Sequence, residues 1–327
     1  MTMKDHINNF PEQLKEAVQI ALSAKIEKRE VDSVLISGLG GSGIGGSMAF
    51  DLFSQECKVP IAVNKDYFIP AFVNSKTLVI ISSYSGNTEE TISAYHQAKK
   101  KGACIVVVSS GGQILADAVQ SQIMNVQLPG GNPPRTCLGY SFVQIVSILE
   151  KFELIVSGST LQMNSISDFL KNEKDEIFQE SFGVANKIAN KIPVIYGSNL
   201  TESIALRFRQ QLNENSKILC WHHVFPEMNH NELVGWTKEN NDLAVLILRT
   251  DFDNPRVNRR MEICKDIFKK YTHNLLEIHA KGDRFITQAF YLIHFTDWVS
   301  WHLAELNQVD AIEVNVIDFL KNELSKS

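Results

Sequence analysis

Residues 81–91 read ISSYSGNTEET, in which Ser83, Ser85 and Thr88 set three hydroxyls close together where an apolar run ends. On a tight strand-to-helix turn, hydroxyls at this spacing can converge on one tetrahedral anion, and the N–H groups of a helix start add further donors. A second stretch, GLGGSGIGG at 38–46, places Gly41 and Ser42 in a setting of the same kind. Glycine lets the backbone come close to an anion, and the serine adds a hydroxyl. Together the two loops offer a grip on a compact phosphate. Such a grip holds a substrate by a part that does not react, and that binding energy positions the part that does.

Groups that could move a proton lie further along. The stretch CWHHVFPEMNHNELVGW at 220–236 reads as a packed loop and sets Glu227 and Glu232 among aromatic residues and His222, His223 and His230. A carboxylate can act first as base and then as acid, so one residue can serve both halves of a proton transfer. The histidines raise a metal as an alternative, but their spacing matches no HExxH-type pattern. The five cysteines lie far apart with no CxxC pair, so neither a zinc site nor a disulfide framework is expected. No metal and no cofactor is expected.

These residues need elements to hold them. Apolar runs at 33–40, 77–83 and 103–110 read as strands, with helices at 45–56 and 88–101 between them. Near-continuous Val and Ile runs, rather than alternation, predict a parallel sheet buried on both faces and built of βαβ units. A polar helical segment spans 161–190. A second set follows, with strands at 192–198, 243–250 and 274–280 and helices at 199–215, 256–271 and 284–306, the last amphipathic. The leading strands of the two sets are offset by roughly 160 residues, as an internal duplication would give. The second set lacks the glycines and the Ser/Thr loop.

In such a sheet, ligands sit beyond the carboxyl ends of the strands, where both small-residue loops fall. The glycines at 38, 40 and 43 also fit G-x-G-x-x-G, so a dinucleotide site is a rival. The acid expected about 20 residues later is not evident, Asp66 being the near candidate. Two separate Ser/Gly loops favour a phosphate.

The chain has 327 residues, enough for two domains. Its 44% apolar and 21% charged content suits a globular protein, and a net charge of -5 argues against a nucleic-acid surface. The first residues are amphipathic and interrupted by acids, unlike a signal peptide, and no apolar run is long enough for a membrane span. A soluble, cytoplasmic protein is expected, with neither nucleic acid nor membrane as partner.

At this point a resemblance becomes specific. SSYSGNTEET is similar to the phosphosugar-binding loop of sugar isomerase (SIS) domains. GLGGSGIGG resembles the preceding loop of the bifunctional phosphoglucose/phosphomannose isomerases. NPPRTCLGYSF (132–142), EMNHNELVGW (227–236), DWVSWHLAEL (297–306) and VIDFLKNEL (316–324) follow in that family's order along nearly the whole chain. The resemblance implies an α/β fold of two doubly wound SIS-type domains with mainly parallel sheets, placed here at 1–157 and 158–327. It also implies a homodimer with its active site near the subunit and domain junction.

The implied reaction moves a carbonyl between C1 and C2 of a hexose 6-phosphate. By resemblance Glu232 is the base, with Glu227 as fallback, and Gly41, Ser42, Ser83, Ser85 and Thr88 bind the phosphate. Arg135, in the loop after the last strand of the first set, would stabilise the enediolate, since a guanidinium can hold a developing oxyanion. Lys321 resembles the family's C-terminal lysine. Ring opening uses a histidine in relatives, many of which carry His-Pro where this chain has Asn254-Pro255. A side-chain amide does not titrate near neutral pH, so His230 is taken instead, with His294 second. Ile312 stands where relatives often have a threonine, which bears on the mannose substrate. The rivals are a non-catalytic phosphosugar sensor, which would lack Glu232, Arg135 and Lys321, and an aminosugar-phosphate isomerase or deaminase.

Overall fold

A computed structural model describes residues 1–324 and 326. The chain divides into two compact units, Asn9–Asn172 and Met1–Asn8 joined with Glu173–Ser327. The first helix, α1 (Met3–Asn8), belongs to the second of these.

In the 9–172 unit the chain runs through α2 (Phe10–Ser23), β1 (Ser33–Ser37), α3 (Gly40–Phe53), β2 (Ile61–Asn64) and β3 (Thr77–Ser82). It continues through α4 (Glu89–Lys100), β4 (Cys104–Ser109), α5 (Gly112–Gln120), β5 (Met124–Gln127), α6 (Leu138–Lys151) and α7 (Gln162–Asn172). The strands form one sheet in the order β2-β1-β3-β4-β5, parallel at every pairing. Every residue of β3 and β4 is buried, as their unbroken Val and Ile runs predict. Strand order reverses between β1 and β3, so the loops leaving these two strands flank the position where doubly wound sheets bind ligands.

The other unit continues through α8 (Lys174–Ile188), β6 (Ile192–Ser198), α9 (Glu202–Glu214), β7 (Trp221–Phe225), β8 (Leu243–Arg249) and α10 (Pro255–Phe268). Then come β9 (Leu275–His279), α11 (Phe285–Leu306) and α12 (Asn315–Leu324). Its sheet has the order β7-β6-β8-β9, again parallel throughout. That repeats β2-β1-β3-β4, so the topology carries the duplication suggested by strand spacing.

Several details differ from the sequence reading. Helix α3 begins at Gly40 rather than 45, so most of the glycine stretch is helical. The polar segment at 161–190 is two helices, α7 and α8. Compact units divide after Asn172, not at 157/158, because α7 lies on α2 with Met163, Ile166 and Leu170 buried. Helix α11 is not amphipathic. Its residues from Ile286 to Ser300 are all buried, since α8 and α9 both pack on it. Within that packing Arg207 and Asp297 form a buried ion pair at 2.6 Å, with Gln211 donating to the same carboxylate. Among the described residues no helix is long and apolar enough to cross a membrane.

Candidate active site

Both loops expected to hold a phosphate leave the switch point of the first sheet. Ser42, in the first turn of α3, is buried, and its Oγ accepts the backbone N–H of Tyr84 at 2.9 Å. That contact leaves the hydroxyl proton of Ser42 to be donated elsewhere. Ser83 is buried and its Oγ lies 3.4 Å from Thr88 Oγ1, while Ser85 is exposed and accepts the N–H of Asn87 at 3.3 Å. Gly86 turns the loop with φ +68°, and a Cβ there would stand 1.9 Å from the Gly111 carbonyl oxygen. Only glycine satisfies both conditions.

The starts of α3 and α4 are open in a particular sense. Thr88 occupies the N-cap of α4, yet no side chain caps that helix, and the same holds for Leu39 at α3. Their first-turn N–H groups and partial positive charge face the loop region. The corresponding strand end of the other unit differs. There the Thr201 hydroxyl accepts the Ser198 N–H at 3.0 Å and donates to the Ser198 carbonyl at 3.2 Å, so that hydroxyl is engaged locally before α9.

Arg135 joins this group. It sits in a 3₁₀ turn (Pro134–Thr136) and is 4% exposed. A Cβ on Gly41 would fall 2.7 Å from the Pro134 carbonyl oxygen and 2.9 Å from Arg135 Cα. The α3 start therefore rests directly on the arginine's backbone. Tyr84 adds a second link, since its Oη donates to the Pro129 carbonyl at 2.7 Å and accepts the Asn132 N–H at 3.2 Å. Burial, and then the neighbouring Cys137, push its phenol up to about 12, so it stays a neutral strut.

Glu232 lies in the 173–327 unit. The stretch read as a loop is in fact the edge strand β7 followed by two 3₁₀ turns, Glu227–His230 and Glu232–Gly235. Asn231 Oδ1 accepts the Glu232 N–H at 2.6 Å and its Nδ2 donates to Glu227 Oε1 at 2.8 Å. The fallback carboxylate Glu227 is thus tied to the turn. Glu232 itself is half-buried, and its Oε1 accepts from Tyr196 Oη at 2.5 Å and Trp221 Nε1 at 3.1 Å.

Other candidates scatter. His230 is exposed at the end of its turn, and Lys321 lies on α12, none of whose described residues is buried. His294 is a core residue at 2% exposure, where Trp298 Nε1 donates to its Nε2 at 3.3 Å. Burial holds its imidazole down at about 3, so it is a neutral residue of the core. Asn254 accepts the Arg256 N–H at 2.8 Å as the N-cap of α10, with Pro255 next. His222 and His223, being successive strand residues, point to opposite faces of the sheet.

Residues 179–324 match the family described as bacterial phospho-glucose isomerase C-terminal SIS domain. A relative from Caldicellulosiruptor bescii, named bifunctional phosphoglucose/phosphomannose isomerase, is 39% identical over 99% of both chains. The chain belongs to the bifunctional phosphoglucose/phosphomannose isomerase family. A second relative of that name, from Thermoplasma acidophilum, is 35% identical over 99% of this chain and all of its own. The fold is shared more widely. The C-terminal domain of glucosamine-fructose-6-phosphate aminotransferase from Francisella tularensis superposes with a TM-score of 0.77 at 14% identity, over 95% of this chain and 98% of that one.

Membership of the phosphoglucose/phosphomannose isomerase family does not by itself reveal what holds the glutamate. Sequence reasoning missed Tyr196 and Trp221, which donate to Glu232, Trp236, which donates to Tyr196, and Tyr84, which braces the loops. Tyr196 sits mid-strand in IPVIYGS and reads as one more core aromatic. The available signal was chemical, because a buried tyrosine needs a partner for its hydroxyl. Lys65 was missed as well. Its Cε lies 3.8 Å from where a Gly43 Cβ would be, beside the start of α3.

Proposed function

We propose that the chain is an aldose–ketose isomerase interconverting glucose 6-phosphate and mannose 6-phosphate with fructose 6-phosphate. The observation that carries this reading is the full-length match at 39% identity to a relative named for both activities. In this reading Gly41, Ser42, Ser83, Ser85 and Thr88 grip the phosphate, and Arg135 balances charge on the enediolate oxygens. Glu232 takes the proton from C2 and returns it to C1, while the C2 hydroxyl proton passes to the C1 oxygen through the enediol, so the steps sum to isomerisation with no net gain or loss of protons. His230 serves ring opening, and Lys321 assists from α12.

We extend the reading to a cytoplasmic homodimer working in glycolysis and gluconeogenesis, with the SIS domain carrying the phosphate loops first in the chain. A sensor without activity is disfavoured because Glu232, Arg135 and Lys321 are all retained. The test is a coupled assay of the purified protein on each aldose phosphate separately. Fructose 6-phosphate from both supports the reading. Turnover of glucose 6-phosphate alone would limit it to one epimer and direct attention to Ile312, and turnover of neither would end it.

A further inference from the structure

We propose that Tyr196 is a positioning residue for the isomerisation, holding Oε1 of Glu232 so that Oε2 alone carries the proton. The inference rests on Glu232 being the base.

The backbone around Glu232 does little to fix its carboxylate. The residue begins a short 3₁₀ turn whose neighbours Asn231 and Val234 are exposed, Val234 by 81%. A glutamate there would sample several rotamers and present either oxygen. The orientation comes from outside the turn. Tyr196 on β6 is fully buried, its ring stacked on Phe268 of α10 with centroids 5.2 Å apart and planes 9° from parallel. Phe225 closes on the same ring at 5.8 Å. Trp236 Nε1 donates to Tyr196 Oη at 3.2 Å. That bond takes up one acceptor site of the phenol and leaves its proton for Glu232 Oε1, 2.5 Å away. The length is that of a charge-assisted bond to a carboxylate. Trp221 Nε1 reaches the same oxygen from β7.

Two donors therefore converge on Oε1, and Oε2 is the oxygen they leave for chemistry. A base that must remove a proton from C2 and deliver it to C1 across a planar enediol needs one oxygen held over both carbons. When Oε2 takes the C2 proton, Oε1 becomes a carbonyl-like acceptor and can keep both bonds. When Oε2 gives that proton to C1, the carboxylate is restored with the same bonds in place. Tyr196 does not trade protons itself. Burial, and then the adjacent Glu232, push its phenol far above the ordinary value, so it remains a donor. Being fully buried, it also cannot touch substrate.

The variant Tyr196→Phe keeps the ring and its stack on Phe268 and removes only the hydroxyl. We expect kcat to fall roughly 30-fold with KM within about twofold, the loss that one charge-assisted bond supports. In a Glu232→Gln background the same change should alter the residual rate by less than about twofold, because its effect passes through the carboxylate. Equal losses in both backgrounds would overturn the inference by showing a structural role. So would an unchanged kcat in Tyr196→Phe beside an inactive Glu232→Gln. A Glu232→Gln enzyme with wild-type kcat would instead remove the base assignment, and the inference with it. Should Tyr196→Phe fail to fold, Trp221→Phe removes the second donor from an exposed position. It should then lower kcat about fivefold in the wild type and leave the Glu232→Gln rate unchanged, and equal effects in the two would overturn the proposal.

Discussion

Ser42 Oγ accepts the backbone N–H of Tyr84 at 2.9 Å, tying the first turn of α3 to the loop that leaves β3. The two loops flank the switch point of one sheet, and this bond joins them together with the Ser82 hydroxyl, which lies 3.5 Å from the Ser42 carbonyl oxygen. Tyr84 carries the connection onward, since its side chain bonds the backbone at Pro129 and Asn132 just ahead of Arg135. The serine hydroxyl accepts from the protein and keeps its proton, which in the proposed site it donates to the phosphate.

Ser42→Ala removes both functions. The Tyr84 N–H loses its partner in a buried setting, at a cost of about 1–3 kcal/mol. We expect KM for fructose 6-phosphate to rise about tenfold and kcat to fall less, as for a loss of binding shared by ground and transition states. Steady-state kinetics on the purified variant would check this, and an unchanged KM would detach Ser42 from the phosphate.

Gly41→Ala tests whether the helix start and the arginine are mechanically linked. The added methyl meets backbone atoms of Pro134 and Arg135, which cannot swing away as a side-chain end could. The expected result is a fall in kcat/KM of at least about 100-fold, since small displacements of a positioned group carry large penalties. Thermal melting should show a loss of only about 1–3 kcal/mol. A near-normal kcat/KM would mean that the turn relaxes without moving Arg135.

His294 gives a prediction about stability rather than rate. Its value in the fold is lowered from 6.5 to about 3 by burial. Above pH 6.5 it is neutral folded or unfolded, and its environment costs nothing. As pH falls below 6.5 the unfolded chain takes up a proton that the folded protein refuses until about pH 3, so stability drops with falling pH. The slope from this one group is about 1.4 kcal/mol per pH unit. Melting curves between pH 6.5 and 4 should therefore be steeper in pH for the wild type than for His294→Gln, which keeps an acceptor for Trp298 but does not titrate. Equal slopes would contradict the assignment of His294 as a neutral core residue.

Legibility in the sequence followed burial. Strands β1, β3, β4, β6 and β8 are continuous apolar runs and are readable as such. Strands β2 and β5 have four residues each, and β7 begins with half-exposed Trp and His residues, so none shows a clean pattern. Helix α6 went unread for the opposite reason. It is buried from Leu138 to Leu149, and a helix buried on all sides has no polar face to mark its period.

The site divides in the same way. Ser42, Ser83 and Thr88 were legible as candidates because two small-residue loops follow apolar strands of one sheet. Glu232 was visible through the family's motif, while its partner Tyr196 lies 36 residues away on another strand. Pairs of that kind, like the buried Arg207 and Asp297 joined across 90 residues, exist only once the chain is folded.

The central claim is that Glu232 carries the proton, and the most direct measurement is kcat for Glu232→Gln on fructose 6-phosphate, with substrate affinity measured alongside. An amide keeps the shape and cannot accept the proton. The prediction is a loss of at least about 100-fold in kcat with affinity within a few fold. Turnover within about threefold of wild type would contradict it and place the base elsewhere.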